Sequence, residues 1–149
     1  MHRLVGMKRI LLVEDNADDI ELAVRAFRGT NPTLEIDIAH DGPEALAALL
    51  GSNGQPPPAV LPALVLLDLK LPRLDGFEVL KRIRGDSRTR FLPVVILTSS
   101  IEPGDLMNAY WLGANSYIRK PLSFQDLIAA AGQITGYWLH LNELPSRPM

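Results

Sequence analysis

The 149-residue chain contains no cysteine. That excludes disulfides and thiolate metal sites and is compatible with a reducing cytoplasm, the expected location. No apolar run approaches the roughly 18 residues of a membrane span. The opening MHRLVGMKR carries basic residues but no long apolar stretch, so it does not read as a signal peptide. Residues 1–7 are expected to be a disordered lead-in. Excess charge is also missing. A net charge of −2 leaves no basic footprint for nucleic acid. What is present is ordinary for a globular protein, with 47% hydrophobic and 21% charged residues. The length suits one domain, which buries about two-thirds of the unfolded surface.

Short aliphatic runs alternate with helical patterns. Strands are predicted at Lys8–Val13, Leu34–Ala39, Leu64–Asp68, Pro93–Thr98 and Ser116–Ile118. Helices are predicted at 17–28, 43–50, 76–84, 103–113 and 123–141. In the first helix Ile20, Ala23, Val24 and Phe27 recur at i, i+3, i+4 and i+7, one face of a 3.6-residue period. The second strand alternates Leu34, Ile36 and Ile38 with Glu35 and Asp37, which places it near a sheet edge. The runs ILLV, LVLL and VVIL suit strands covered on both faces. Five β–α repeats of this kind give a parallel sheet with right-handed crossovers and helices on both sides. Residues 51–62, GSNGQPPPAVLP, form a Pro/Gly-rich exposed connector. One folded body is expected over 8–141, followed by a tail at 142–149 and no separate output domain.

In sheets of this class, sites form beyond the carboxyl ends of the strands. Glu14 and Asp15 follow the first strand, Asp68 ends the third, Thr98 ends the fourth, and Lys120 follows the fifth. Each alone has a plain explanation as a cap, a turn former or a strand residue. Together they bring three carboxylates, a hydroxyl and an ammonium to one crevice. Mutually repelling carboxylates call for a raised pKa or a hard divalent cation. Magnesium, or manganese, suits a site that keeps waters and leaves room for phosphate oxygens. The set reads as a cradle for phosphoryl transfer, with Asp68 as nucleophile.

The stretches ILLVEDN (10–16), DGPEAL (41–46), LVLLDLKLPRLDGFEVL (64–80), LPVVILTSS (92–100) and AYWLGANSYIRKP (109–121) resemble the receiver domains of two-component response regulators. The resemblance implies a flavodoxin-like (βα)5 sheet of order 2-1-3-4-5. It implies Asp68 as phosphoacceptor, Asp15 as a direct metal ligand, Glu14 as its partner through water, and the Lys70 backbone carbonyl as a further ligand. It makes Thr98 the switch hydroxyl, Tyr117 the rotating aromatic and Lys120 the phosphate-pairing lysine. It also implies a cis Lys120–Pro121 bond, and it sets Lys70 and Ser100 beside the path of attacking water. EDNADDIELAVRAF (14–27) and YWLHLNELP (137–145) further resemble single-domain regulators paired with phytochrome-type histidine kinases.

The implied function is a signalling phosphoacceptor, not an enzyme beyond its own phosphoryl transfer and dephosphorylation. Its implied partners are a sensor histidine kinase and either a target or a histidine phosphotransfer protein, with no nucleic acid and no membrane. Phosphate would draw Thr98 inward and reshape the face made by the fourth helix, fifth strand and fifth helix. On that face Met107 and Trp111 form an i, i+4 apolar pair, while Leu106, Ala109, Tyr110 and Gly113 are expected to face the core. With Tyr137, Trp138, Leu139 and Leu141 this stripe predicts a homodimer. A magnesium-dependent aspartate phosphohydrolase is the alternative, but it needs a second aspartate where Lys70 stands. A scaffold that takes no phosphate is a further alternative, opposed by the intact acidic, threonine and lysine set.

Overall fold

The computed structural model describes residues 8–120 and 123–145. Five strands, β1 (Arg9–Val13), β2 (Glu35–Ala39), β3 (Leu64–Leu67), β4 (Val94–Thr98) and β5 (Ser116–Arg119), alternate with five helices. The helices are α1 (Ala17–Thr30), α2 (Gly42–Leu50), α3 (Gly76–Gly85), α4 (Pro103–Trp111) and α5 (Phe124–Thr135). All neighbouring strands are parallel, in the order β2-β1-β3-β4-β5. This is the order expected of a flavodoxin-like sheet. The Lys120–Pro121 bond lies outside the described residues.

Strand periodicity divides the core. Side chains alternate across a strand, so Leu11, Val13, Val65, Leu67, Val94 and Ile96 join the layer under α2, α3 and α4. Ile10, Leu12, Leu64, Leu66 and Val95 join the other layer, where Ala23, Ala26 and Phe27 of α1 meet Ala131 and Ile134 of α5. β3 and β4 are buried at every position because both faces are covered, and all their residues but Thr98 are apolar. Asn16, Asp41, Asp75 and Ser123 cap α1, α2, α3 and α5 through side-chain bonds to backbone amides. The connector 51–62 is exposed over most of its length, but Pro62 is buried and Leu61 packs on the core.

Three expectations change near the C-terminal half. α4 ends at Trp111, and Gly113 follows in the left-handed region at φ 103°. Tyr110 is exposed, and Ala109 is the one fully buried residue of α4. The last helix divides: α5 ends at Thr135 and a π-helical segment runs over Gly136–Leu141. Widening the helix there turns Leu139 into the core and lets Trp138 pack against the same layer. Lys8 Nζ donates to the Leu139 carbonyl and ties this segment to the start of β1.

At the amino edge of the sheet one guanidinium joins several loops. Arg84 of α3 donates to the carbonyls of Gly113 (2.9 Å), Leu92 (2.8 Å) and Arg90 (3.2 Å), and to Asn115 Oδ1 (2.8 Å). Asn115 Oδ1 also accepts from the Val94 amide. Burial lowers the Arg84 pKa from its ordinary value, so its acceptors must hold a partly desolvated charge. Arg84→Ala should cost about 2–3 kcal/mol, read as a lower urea midpoint with unchanged slope. Arg84→Lys should recover only part of it, since an ammonium cannot span this fork of acceptors.

Candidate functional site

The site begins where β1, β3, β4 and β5 end. Each strand is anchored by ladder bonds up to its last residue, and Asp68 N still donates to the Val13 carbonyl (3.1 Å). Asp68 is therefore held by backbone pairing while its carboxylate emerges at the rim, 7% exposed. The following helix fixes it from below. A Cβ on Gly76 would lie 2.3 Å from the Asp68 carbonyl oxygen, so the start of α3 packs directly against this peptide.

Both oxygens of Asp68 are engaged. Oδ1 accepts from Thr98 Oγ1 at 2.8 Å and from the Lys70 amide at 3.3 Å. Oδ2 accepts from Lys120 Nζ at 3.1 Å. The same ammonium donates to Glu14 Oε1 at 2.5 Å and to Asp19 Oδ2 at 3.0 Å. Three carboxylates thus converge on one cation. A cavity of about 70 Å³ opens beside it, with these groups at its polar end and Leu12, Leu22 and Leu66 among its apolar walls.

The charges are strained against each other. Burial raises the Glu14 pKa, and the neighbouring Asp68 charge adds to this, while Lys120 and the Asn16 amide work in the opposite direction. Burial also disfavours the Lys120 ammonium, but Glu14, Asp68 and Asp19 outweigh it and hold its pKa above the ordinary lysine value. A raised lysine pKa stabilises the fold fully below the unfolded value, about 10.4, and the contribution is lost as pH rises through the folded value.

A second line of contacts leaves Thr98. The Ser100 amide donates to Thr98 Oγ1 (3.3 Å), and Ser100 Oγ donates to Asp105 Oδ2 in the first turn of α4 (2.6 Å). Tyr117 is half-buried, and its hydroxyl donates to the Ser100 carbonyl at 3.5 Å. Ser100 is only 4% exposed. Its hydroxyl is committed to Asp105 rather than free beside Asp68.

Of the residues singled out from the sequence, Glu14, Asp68, Thr98 and Lys120 meet directly. Asp15 is exposed on the rim, next in the chain to Glu14. Lys70 is exposed, and its contact to Asp68 is made by the backbone. Among the described residues no group of three or more Asp, Glu, His or Cys side chains stands in metal-holding geometry. Asp19 was missed: it reads as a plain residue of the first turn of α1. Its signal was its place four residues after Asp15, which turns it back toward the end of β1. The link from Ser100 to Asp105 was missed too, since neither residue type is distinctive.

The sheet order and the contacts around Asp68 define a receiver. Residues 10–132 match the response regulator receiver domain, and the chain belongs to that family. It is 36% identical over 139 residues to the response regulator Rcp1 of Synechocystis sp., covering 93% of this chain and 94% of Rcp1. The crystal structure of the Mn(2+)-bound form of Rcp1 is similar, with a TM-score of 0.80, 35% identity, and coverage of 93% of this chain and 99% of that one. The crystal structure of the phosphorylated cyanobacterial phytochrome response regulator RcpA is similar at a TM-score of 0.83, with 38% identity and coverage of 93% and 99%. A probable methanogenesis regulatory protein, FilR2 of Methanothrix harundinacea, is 46% identical over 136 residues, covering 91% of this chain and 86% of FilR2. No helix among the described residues is long and apolar enough to cross a membrane.

The charge arrangement has a measurable consequence. Lys120→Met leaves Glu14, Asp19 and Asp68 facing each other without a cation, and should cost about 2 kcal/mol at neutral pH. The gap to the native protein should narrow as pH falls toward about 4, because the unpaired carboxylates take up protons more readily than the paired ones. Urea unfolding at several pH values checks this. A gap that stays constant with pH would show that the loss is packing rather than charge.

Proposed function

We propose that the protein is a phosphorylatable switch that takes a phosphoryl group on Asp68 from a sensor histidine kinase. The observation that carries this is the pair of contacts to the two Asp68 oxygens, Thr98 on one and Lys120 on the other, at a strand end reachable from solvent. An Asp68 oxygen attacks phosphorus, the bond from phosphorus to the donor nitrogen breaks, and the imidazole leaves. Lys120 offers a positive charge to the incoming phosphoryl oxygens. Thr98 is placed to donate to one of them. Because the Ser100 amide and carbonyl bond Thr98 and Tyr117, a movement of Thr98 is transmitted to the loop before α4 and to Tyr117.

The donor set suits a divalent cation. Glu14, Asp19 and Asp68 present three negative charges to one ammonium, and Asp15 lies beside them. A surplus of carboxylate at a solvent-open rim matches magnesium or manganese, which needs only one or two protein carboxylates and keeps its waters. Asp15, Asp68, the Lys70 carbonyl and, through water, Glu14 would hold it. When bound, the ion neutralises charge on the transferring group. Rcp1, with its Mn(2+)-bound form, supports this assignment by similarity.

The likeness to RcpA supports a phytochrome-type kinase as the partner. FilR2, a probable methanogenesis regulatory protein, is more nearly identical to this chain than RcpA or Rcp1, so the kinase class rests on the phytochrome regulators alone. Either a target protein or a histidine phosphotransfer protein would read the altered surface. The body over 8–141 carries the switch, in a cytoplasmic setting.

Incubation with a small phosphodonor and magnesium tests the acceptor. Intact mass should show one added phosphoryl group in the native protein, none in Asp68→Asn, and little when magnesium is withheld. Equal uptake in Asp68→Asn would overturn the assignment.

The homodimer expected from the sequence rests on Met107 and Trp111, 70% and 86% exposed, with the exposed Tyr137 and Leu141 in the segment after α5. Trp138 contributes less than expected, since it packs on its own core. Sedimentation at tens of micromolar (an order-of-magnitude choice) should show a dimer that Trp111→Glu dissociates. A native monomer with and without phosphate would overturn the dimer.

A further inference from the structure

The function proposed above gives individual roles to Glu14, Asp15, Asp68, Lys70, Thr98 and Lys120, and uses Asp19 only as part of the surplus negative charge. An ammonium has three N–H donors, and Glu14, Asp19 and Asp68 occupy all three on Lys120. These acceptors are not equivalent. The Glu14 and Asp68 side chains are 5% and 8% exposed, but that of Asp19 is 42% exposed. Glu14 and Asp68 are mounted at the ends of central strands, whereas Asp19 comes from the first turn of α1. A carboxylate already in water loses least when its cation leaves it. When a fourth anion arrives, Asp19 is the partner the ammonium can release.

We propose that Asp19 is a positioning residue: it holds Lys120 in the unphosphorylated protein and is displaced from Lys120 by the phosphoryl group. Its hold opposes phosphoryl binding in two ways. It occupies a donor that a phosphoryl oxygen needs, and it adds negative charge where a multiply charged anion must settle. Asn16 supports the arrangement by capping α1 through the Asp19 amide at 2.9 Å, so the first turn that carries the carboxylate is itself fixed. Asp18, one residue earlier, provides an internal comparison. It carries the same charge at the same helix end, is exposed, and makes no recorded bond to Lys120.

The inference rests on Asp68 being the phosphoacceptor, and the test separates the two. Beryllofluoride, a phosphoryl mimic, is titrated into the protein with magnesium at about 0.15 M salt, and the bound state is followed by fluorine NMR. Asp19→Asn should tighten binding by about threefold to fivefold, and Asp18→Asn should leave it within about 1.5-fold. In a Lys120→Met background the Asp19→Asn gain should shrink to about 1.5-fold or less, the part that charge repulsion alone supplies at an exposed carboxylate. Circular dichroism and thermal unfolding of both asparagine variants register any loss of the α1 cap, which would weaken binding rather than tighten it. Unchanged or weaker binding in Asp19→Asn would overturn the role. So would an equal gain in Asp18→Asn, which would reduce the effect to charge at the helix end. Binding that survives Asp68→Asn would overturn the phosphoacceptor reading itself, and the role of Asp19 with it.

Discussion

Lys120 holds together a site that would otherwise repel itself. Its ammonium reaches carboxylates from β1, from α1 and from the end of β3. Glu14 and Asp68 are nearly buried, and two such groups side by side would favour the protonated form without a cation between them. The geometry around them follows from this need. β5 must lie close enough for Lys120 to cross the ends of β4 and β3, and α1 must begin close enough for Asp19 to share the charge. The order 2-1-3-4-5 meets both conditions because β1 and β4 flank β3.

The rest of the fold supplies rigidity for that rim. Ile10–Val13, Leu64–Leu67 and Val94–Ile96 are buried on both faces, so the strands that end at the site have no freedom to slide. A one-residue slip would move each apolar set into the wrong layer. Gly76 allows α3 to pack on the Asp68 peptide, where any side chain would meet the carbonyl oxygen. At the far edge Arg84 ties α3 to the loops before β4 and β5, which anchors the starts of both strands.

The acidic cradle also leaves the rim unbalanced in charge. One cation shared among three anions leaves the group short of positive charge, and the proposed metal and phosphoryl binding rest on that shortage. Thr98 stands between this rim and α4, through Ser100 and Asp105. That short path requires no large motion of the sheet. A change at Asp68 alters the partners of Thr98, and the first backbone to feel it is the β4–α4 loop.

Much of this could be read before any coordinates. Alternation in the strands and the 3.6-residue stripe of α1 are local signals, and each appears where the chain order puts it. Glu14, Asp68, Thr98 and Lys120 were legible because each follows a strand, and strand ends share one edge in a parallel sheet. Tyr110, Leu139, Asp19 and Ser100 were not. Tyr110 lies on the expected core side of α4 yet is exposed, because the fully buried position of that helix is its neighbour Ala109. Leu139 is buried because the helix widens after Thr135, which periodicity counted at 3.6 residues does not anticipate. Asp19 and Ser100 acquire partners 101 residues away in Lys120 and across a loop in Asp105. The amino-acid sequence by itself determined which segments are strands and which charged groups meet at their ends, since both follow from local patterning and chain order. Only the tertiary structure decided which carboxylates share the lysine and which of them is the most exposed, because that depends on burial and distance between distant segments.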